Sequence, residues 1–436
     1  MIYYSTNNSN IRVSLLVGVV KGLASDRGLF MPEHIPALPK EFFDNICNMS
    51  LQEISFTVAK ALFGEDVETD VLKNIVYEAL NFDIPLKQVS ENKYSLELFH
   101  GPTLAFKDVG ARFMARLLGY FNSKSNDNST VNVLVATSGD TGSAVANGFL
   151  GVPGVRVFVL YPQGKVSRIQ ESQFTTLGKN ITAIEVNGTF DDCQALVKTA
   201  FMDGELNAKM KLTSANSINV ARFLPQMFYY FYAYAQLAKQ CKDLSNIVVA
   251  VPSGNFGNIC SALIGKVMGL PIKHFIAANN RNDVFFQYLQ TGKYEPRKSV
   301  QTIANAMDVG DPSNFARVLD LYKHSHEAIC NDISGCTYTD KQIAETMKAT
   351  FAETGYVLDP HGAVAYRALN EKLKEGETGI FLETAHPAKF KSTVDDILNS
   401  DIEIPAKLQA FMQGTKQSLP ISTEYEDFKK VLLSNR

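Results

Sequence analysis

Lys107 closes the apolar run Leu104, Ala105 and Phe106 in the string His100-Gly-Pro-Thr-Leu-Ala-Phe-Lys-Asp108. Apolar neighbours favour partial burial. A desolvated lysine has a lowered pKa and becomes a usable amine nucleophile or base near neutral pH. Gly101 and Pro102 make a turn, which puts Lys107 on a loop or a helix start. Most lysines are ordinary surface charges, and position alone does not set Lys107 apart from them.

Two turns could hold anions. Ser253-Gly-Asn-Phe-Gly-Asn258 follows an apolar run and precedes a helix-like one. Gly254 and Gly257 allow close backbone approach, and the first N–H groups of the coming helix supply donors and the positive end of its dipole. A tight turn that needs glycine for its φ accounts for the same residues equally well. Neither a P-loop nor the G-x-G-x-x-G dinucleotide pattern is present. Thr137-Ser-Gly-Asp-Thr-Gly142 is a similar strand-to-helix turn, suited to a carboxylate or phosphate. Ser138, Asp140 and Thr141 would also serve as a helix N-cap. Here the backbone of Asp140, not its carboxylate, is the useful part.

Two further strings carry polar groups. In Ser214-Ala-Asn-Ser-Ile-Asn-Val-Ala-Arg222, Asn216, Ser217 and Asn219 precede an arginine able to grip phosphate bidentately, although a surface arginine after a polar loop is the commoner case. Glu383-Thr-Ala-His-Pro-Ala-Lys389 ends an apolar strand-like run, with Thr384 directed toward a ligand and His386 as a turn residue.

The elements that must position these groups alternate. Strand-like runs start at Val131, Val155, Ile181, Ile247, His274 and Gly379, with helix-like segments between several of them. This predicts an α/β fold with largely parallel sheets and ligands at the carboxyl ends of the strands. Residues 1–93 read mainly as helices and turns, with a helix over 51–62. Thr189 and Asp192 form a capping box, and the aromatic-rich stretch 223–238 reads as a buried helix. The expected division is 1–95 as an N-terminal segment packed on the large domain, 96–230 as the lysine-bearing unit, and 231–436 as the large domain.

The bulk composition excludes several classes. With 436 residues, 45% hydrophobic and 20% charged, the chain is long enough for more than one packed unit. A net charge of −3 and no basic run argue against nucleic acid. No apolar run is long enough to span a membrane, and the apolar stretch 13–20 makes a poor signal peptide. Six cysteines without a C-x-x-C pair read as reduced thiols in a cytoplasmic protein, and seven histidines show no metal-binding spacing.

Taken together and in order, these strings resemble the threonine synthases, bacterial and fungal branch. That family shares the pyridoxal-phosphate fold (fold type II) of the tryptophan synthase β-chain. The strings Tyr3-Tyr-Ser5, Gly28-Leu-Phe-Met-Pro-Glu33 and Asn305-Ala-Met-Asp-Val-Gly310 fit as well, so the resemblance spans nearly the whole chain. It departs at Asp26-Arg27-Gly28, where the family usually carries a second glycine. The resemblance implies that Lys107 holds pyridoxal 5'-phosphate as an imine. It places the cofactor phosphate on Gly254, Asn255, Phe256, Gly257 and Asn258, and the pyridine nitrogen against Thr384. It puts the substrate carboxylate on Ser138, Gly139, Thr141 and Gly142, and the substrate phosphate on Asn216, Ser217 and Arg222. It implies conversion of O-phospho-L-homoserine and water to L-threonine and phosphate. The neighbouring activity is a related lyase or dehydratase acting on serine, threonine or another phosphorylated amino acid, which would give a 2-oxo acid and ammonia. The resemblance assigns no role to 305–310 or His361.

Overall fold

A computed structural model describes residues 1–125, 129–240 and 244–434. Three short strands, β1 (Ile2–Ser5), β2 (Arg12–Ser14) and β3 (Phe30–Pro32), form an antiparallel sheet in the order β2-β1-β3. The helix expected near 51–62 spans Leu51–Phe63 and begins with a Ser50–Glu53 capping box. β4 (Leu86–Ser90) and β5 (Lys93–Glu97) complete the first part of the chain. The largely helical N-terminal stretch therefore also carries strands. They are too short, or too polar on one side, to stand out in the sequence.

The first expected parallel sheet contains β6 (Val131–Ala136), β7 (Val155–Pro162), β8 (Ile181–Val186), β9 (Lys211–Ser214) and the late strand β14 (Leu419–Ile421), in the order β14-β8-β7-β6-β9. All its pairings are parallel. The second contains β10 (Ile247–Pro252), β11 (His274–Asn279), β12 (Ile333–Thr337) and β13 (Thr378–Glu383), in the order β12-β11-β10-β13-β5-β4. Only the β4–β5 pairing is antiparallel. Every residue of β6, β10 and β13 is buried, as expected of central strands covered on both faces.

The aromatic stretch forms the helix Phe228–Lys239, mostly buried, in the same core cluster as β6 and β10. The Tyr229 and Tyr230 hydroxyls both donate to Asn258 Oδ1, at 2.6 and 2.7 Å. The expected Thr189–Asp192 capping box opens the helix Phe190–Met202. Cys47, Cys193, Cys260, Cys330 and Cys336 are free thiols, and Cys241 lies outside the described residues. Among the described residues no helix is long and apolar enough to cross a membrane, and no cluster of His, Cys, Asp or Glu could hold a metal.

The turn 24–28 explains the departure noted above. Arg27 adopts φ 67°, and its N–H donates to Ala24 O at 2.9 Å. The Asp26 carboxylate closes the turn by accepting from Ser5 Oγ and Gly28 N–H. A left-handed conformation costs a side-chain-bearing residue roughly 1–2 kcal/mol, more than glycine's extra unfolded-state entropy. Arg27→Gly should therefore raise stability by roughly 0.5–1 kcal/mol, read as a higher denaturant midpoint with activity unchanged.

Candidate active site

Lys107 is the first residue of the helix Lys107–Lys124. The preceding loop is pinned to the end of β13. Phe106 N–H donates to Thr384 O at 2.8 Å, His386 N–H donates to Leu104 O at 3.0 Å, and Ala105 and Ala385 form an isolated antiparallel bridge. Thr384 thus lies across from the residue next to Lys107. Leu104 has φ 57°, a strained value for a leucine, and such strain persists only where surrounding contacts impose it. Behind the loop, Thr103 donates from its N–H and its hydroxyl to Asp108, at 2.8 and 2.6 Å.

Burial pushes the Lys107 amine down to about 8. Asp140 opposes the shift, and the Arg222 and Lys389 cations add to it. The sequence argument from apolar neighbours therefore has the right sign, and two buried cations strengthen it.

Arg222 is only 2% exposed, and its Nε and Nη1 have no hydrogen-bond partner. Burial pulls it down to about 10, so it remains charged at neutral pH. It is no surface arginine. It packs against Gly110, one turn into the Lys107 helix: a Cβ there would sit 2.1 Å from Arg222 O and 2.6 Å from Nη1. The Asp108 carboxylate stabilises the Arg222 charge through space, yet Nε and Nη1 stay unbonded; a buried cation so poorly paired is costly, and an arriving anion lowers that cost.

The turn 253–256 leads from β10 into the helix Gly257–Val267. Phe256 takes the left-handed φ of 63°, and the glycines on either side leave room for backbone contacts. A Cβ on Gly254 would come within 2.8 Å of Met307 Cα, and one on Gly257 within 3.0 Å of Ser217 Cβ. Asn255 Nδ2 donates to Ser217 Oγ at 2.9 Å, and Ser313 N–H donates to Asn255 Oδ1 at 2.7 Å. Asn258 is held by the two tyrosines, which leaves its buried Nδ2 without a partner.

The loop after β6 is shaped by Thr137 Oγ1, which accepts from Gly139 N–H and Gly142 N–H at 2.9 and 2.8 Å. Gly139, at φ 141°, occupies the cap position of the helix Asp140–Phe149, and no side chain caps it. The N-cap role open to Ser138, Asp140 or Thr141 is thus not taken. Thr137 already holds the Gly142 N–H, so the first-turn N–H groups left to meet an anion are those of Asp140 and Thr141.

The structure divides one expected group. Ser217 Oγ is engaged by Asn255 and Asn314, so Ser217 belongs to the wall of the 253–258 turn. Asn216 Nδ2 donates to Ala136 O at 3.4 Å, next to the 137–142 loop. Arg222 reaches the Lys107 helix instead.

Other contributors lie outside the expected set. Arg317 is fully buried and donates to the carbonyls of Phe30, Ser217 and Ile218 and to Asn314 Oδ1. Its guanidinium stacks on Phe223, 3.8 Å from the ring centre. The segment 305–310, unassigned from the sequence, backs Gly254. His361 Nε2 accepts from Ala306 N–H at 3.1 Å, while its Nδ1 faces Asp359 at 2.6 Å. The Asp308 carboxylate accepts from Asn280, Asn282 and Thr302. Nothing in the local sequence marks Arg317. The string 305–310 was a signal without a mechanism.

An amine beside two buried cations, a helix-opening turn with an unpartnered amide at Asn258, and a threonine across from the lysine loop fit pyridoxal phosphate. The family described as "Pyridoxal-phosphate dependent enzyme" matches residues 87–382. This is a pyridoxal-phosphate dependent enzyme fold with the residues to hold that cofactor. The regions on either side match "Threonine synthase N terminus" over 2–80 and "Threonine synthase, C-terminal" over 362–432. Threonine synthase of Haemophilus influenzae is 44% identical over 435 residues, covering 100% of both chains. The crystal structure of threonine synthase from Escherichia coli superposes with a TM-score of 0.93 at 40% identity, covering 100% of both chains. A pyridoxal-phosphate-bound threonine synthase from Brucella melitensis gives 0.92 at 33% identity, covering 99% of this chain and 98% of its own. The chain belongs to the threonine synthase family.

Gly110→Ala should disturb Arg222 without removing a polar group. Its methyl must displace either the Arg222 backbone or the guanidinium. A drop in kcat/KM of about tenfold or more with the fold retained is expected from a misplaced charged group, read by steady-state kinetics and circular dichroism.

Proposed function

We propose that this enzyme converts O-phospho-L-homoserine and water to L-threonine and inorganic phosphate. The observation that carries the reading is the buried Arg222 guanidinium, unpaired at two nitrogens beside the lysine helix. A doubly charged phosphate ester suits that charge, whereas a plain hydroxy amino acid would leave it unmatched.

Lys107, the turn 254–258 and Thr384 would hold the cofactor. When bound, pyridoxal phosphate supplies the electron sink that stabilises negative charge on substrate carbons. The remaining work falls to this chain. Ser138, Gly139, Thr141 and Gly142 orient the substrate by its carboxylate. With the substrate amine in its place on the cofactor, Lys107 would be free, and its neutral amine could take the proton from Cα and then one from Cβ. With its pKa drawn to about 8, that amine exchanges protons readily near neutral pH. Arg222 holds the phosphate while the Cγ–O bond breaks and as it departs, so the developing charge meets a fixed cation rather than bulk water. One of the abstracted protons goes to Cγ, which ends as a methyl group; water gives its hydroxyl to Cβ and releases a proton, a proton returns to Cα, and the remaining one goes to the departed phosphate. Asn216 sits beside the carboxylate loop, and Ser217 stiffens the wall next to Asn255.

Incubation with O-phospho-L-homoserine should release threonine and phosphate in equal amounts; a 2-oxo acid with ammonia would point to a dehydratase instead. Borohydride should fix the cofactor to Lys107, and a label found on another lysine would sink the assignment. The base is the neutral amine, so the rate should fall as pH drops through about 8. Arg222→Ala should lose on the order of 3 kcal/mol in kcat/KM for a charged bidentate contact. Near-parental kinetics would remove Arg222 from the substrate site.

A further inference from the structure

Lys389 is the most deeply buried ammonium near the site, with no exposed surface, yet none of the assignments above uses it. Its Nζ donates to Asp140 Oδ1 at 2.7 Å and to Thr103 O at 2.8 Å. Gln170 Nε2 also donates to Asp140 Oδ1, at 2.9 Å, and Gln173 Nε2 donates to Thr103 O at 3.0 Å. Ser167 Oγ fixes the Lys389 carbonyl at 3.1 Å. One ammonium thus joins three segments: the turn after β13, the loop that carries Lys107, and the first residue of the helix behind the carboxylate loop.

Asp140 poses a problem that this contact solves. Its carboxylate is buried at the positive end of a helix, where it would compete with any anion brought to the same turn. A second carboxylate placed beside an uncompensated one in a dry site is strongly disfavoured. Burial alone would push Asp140 up; Lys389 and Lys107, with the hydrogen bonds from Lys389 and Gln170, hold it well below the usual carboxylate range. It is therefore ionised but neutralised.

We propose that Lys389 is a positioning residue that cancels the charge of Asp140, so that the 138–142 turn accepts the substrate carboxylate while Thr103 and the Lys107 loop stay in register. This deepens the function proposed above and rests on it. The charged groups facing Lys107 are Asp140, Arg222 and Lys389. Removing Lys389 takes away one repelling cation and unmasks Asp140, so the Lys107 amine rises. Removing the Asp140 charge has the opposite sign.

The test compares holoenzymes of the parent, Lys389→Met, Asp140→Asn and the double variant. KM and kcat are measured against pH with O-phospho-L-homoserine, and cofactor absorbance and thermal melting are recorded alongside. Lys389→Met should raise KM by about tenfold or more, as expected for an exposed like charge in a dry site, and shift the acid limb of the kcat profile to higher pH. Asp140→Asn should shift that limb to lower pH. The double variant should return both toward the parent. Three outcomes overturn the proposal: Lys389→Met with parental KM and profile, single variants whose limbs move the same way, or a double variant no better than the worse single. If Lys389→Met does not fold, Asp140→Asn decides: a downward limb supports the proposal and an unmoved one overturns it. Failure of the underlying reading has a separate signature, since the parent would then release no threonine or take the borohydride label elsewhere.

Discussion

Positive charge held out of water, with fewer partners than it needs, is the constraint around which this molecule is built. Arg222 is a buried cation and Lys107 a half-buried one, and the Arg222 charge helps draw the Lys107 amine down. Such charges are tolerable only on a rigid frame that cannot collapse to satisfy them. The frame is supplied by strands covered on both faces, by glycines at 110, 254 and 257 that let backbones meet closely, and by helices that begin at the site. Fixed cations and the positive ends of helix dipoles act in the same direction here, both favouring negative charge.

Arg317 extends the same logic away from the reacting groups. It spends its donors on backbone carbonyls from two separate parts of the chain, Phe30 in β3 and Ser217–Ile218 beside Asn255, and on Asn314 Oδ1. The small antiparallel sheet at the N-terminus is thereby tied to the wall of the 253–258 turn. No carboxylate partners Arg317 among the contacts described, and the Phe223 ring takes up part of its charge from one face.

Much of this was legible in the sequence. Parallel sheets announced themselves through β-branched runs that end in small-residue turns, because central strands need no alternation. The turns at Ser138 and Ser253 stood out by their glycines, and Lys107 by its apolar neighbours. Short edge strands such as β2, β9 and β14 left no comparable trace, since three or four residues carry too little pattern. Long-range pairs were invisible for a different reason. Nothing near Lys389 or Arg317 says which distant carbonyl or carboxylate will meet it, and nothing near Gly110 reveals that Arg222 lies on its far side. Asp140 shows the limit best: its backbone role follows from the helix start, but the use of its carboxylate depends on a lysine far down the chain.

The pinning of the lysine loop to β13 carries a consequence for how the enzyme is made. Thr103 and Lys389 are 286 residues apart, and Phe106 pairs with Thr384 across a similar interval. A growing chain that has emerged from the ribosome only as far as β9 holds Lys107 on a loop with no β13 to set its direction. The Lys107 amine acquires its orientation only when β13 is in place, so the loop that carries it is set late, by contacts of long sequence separation.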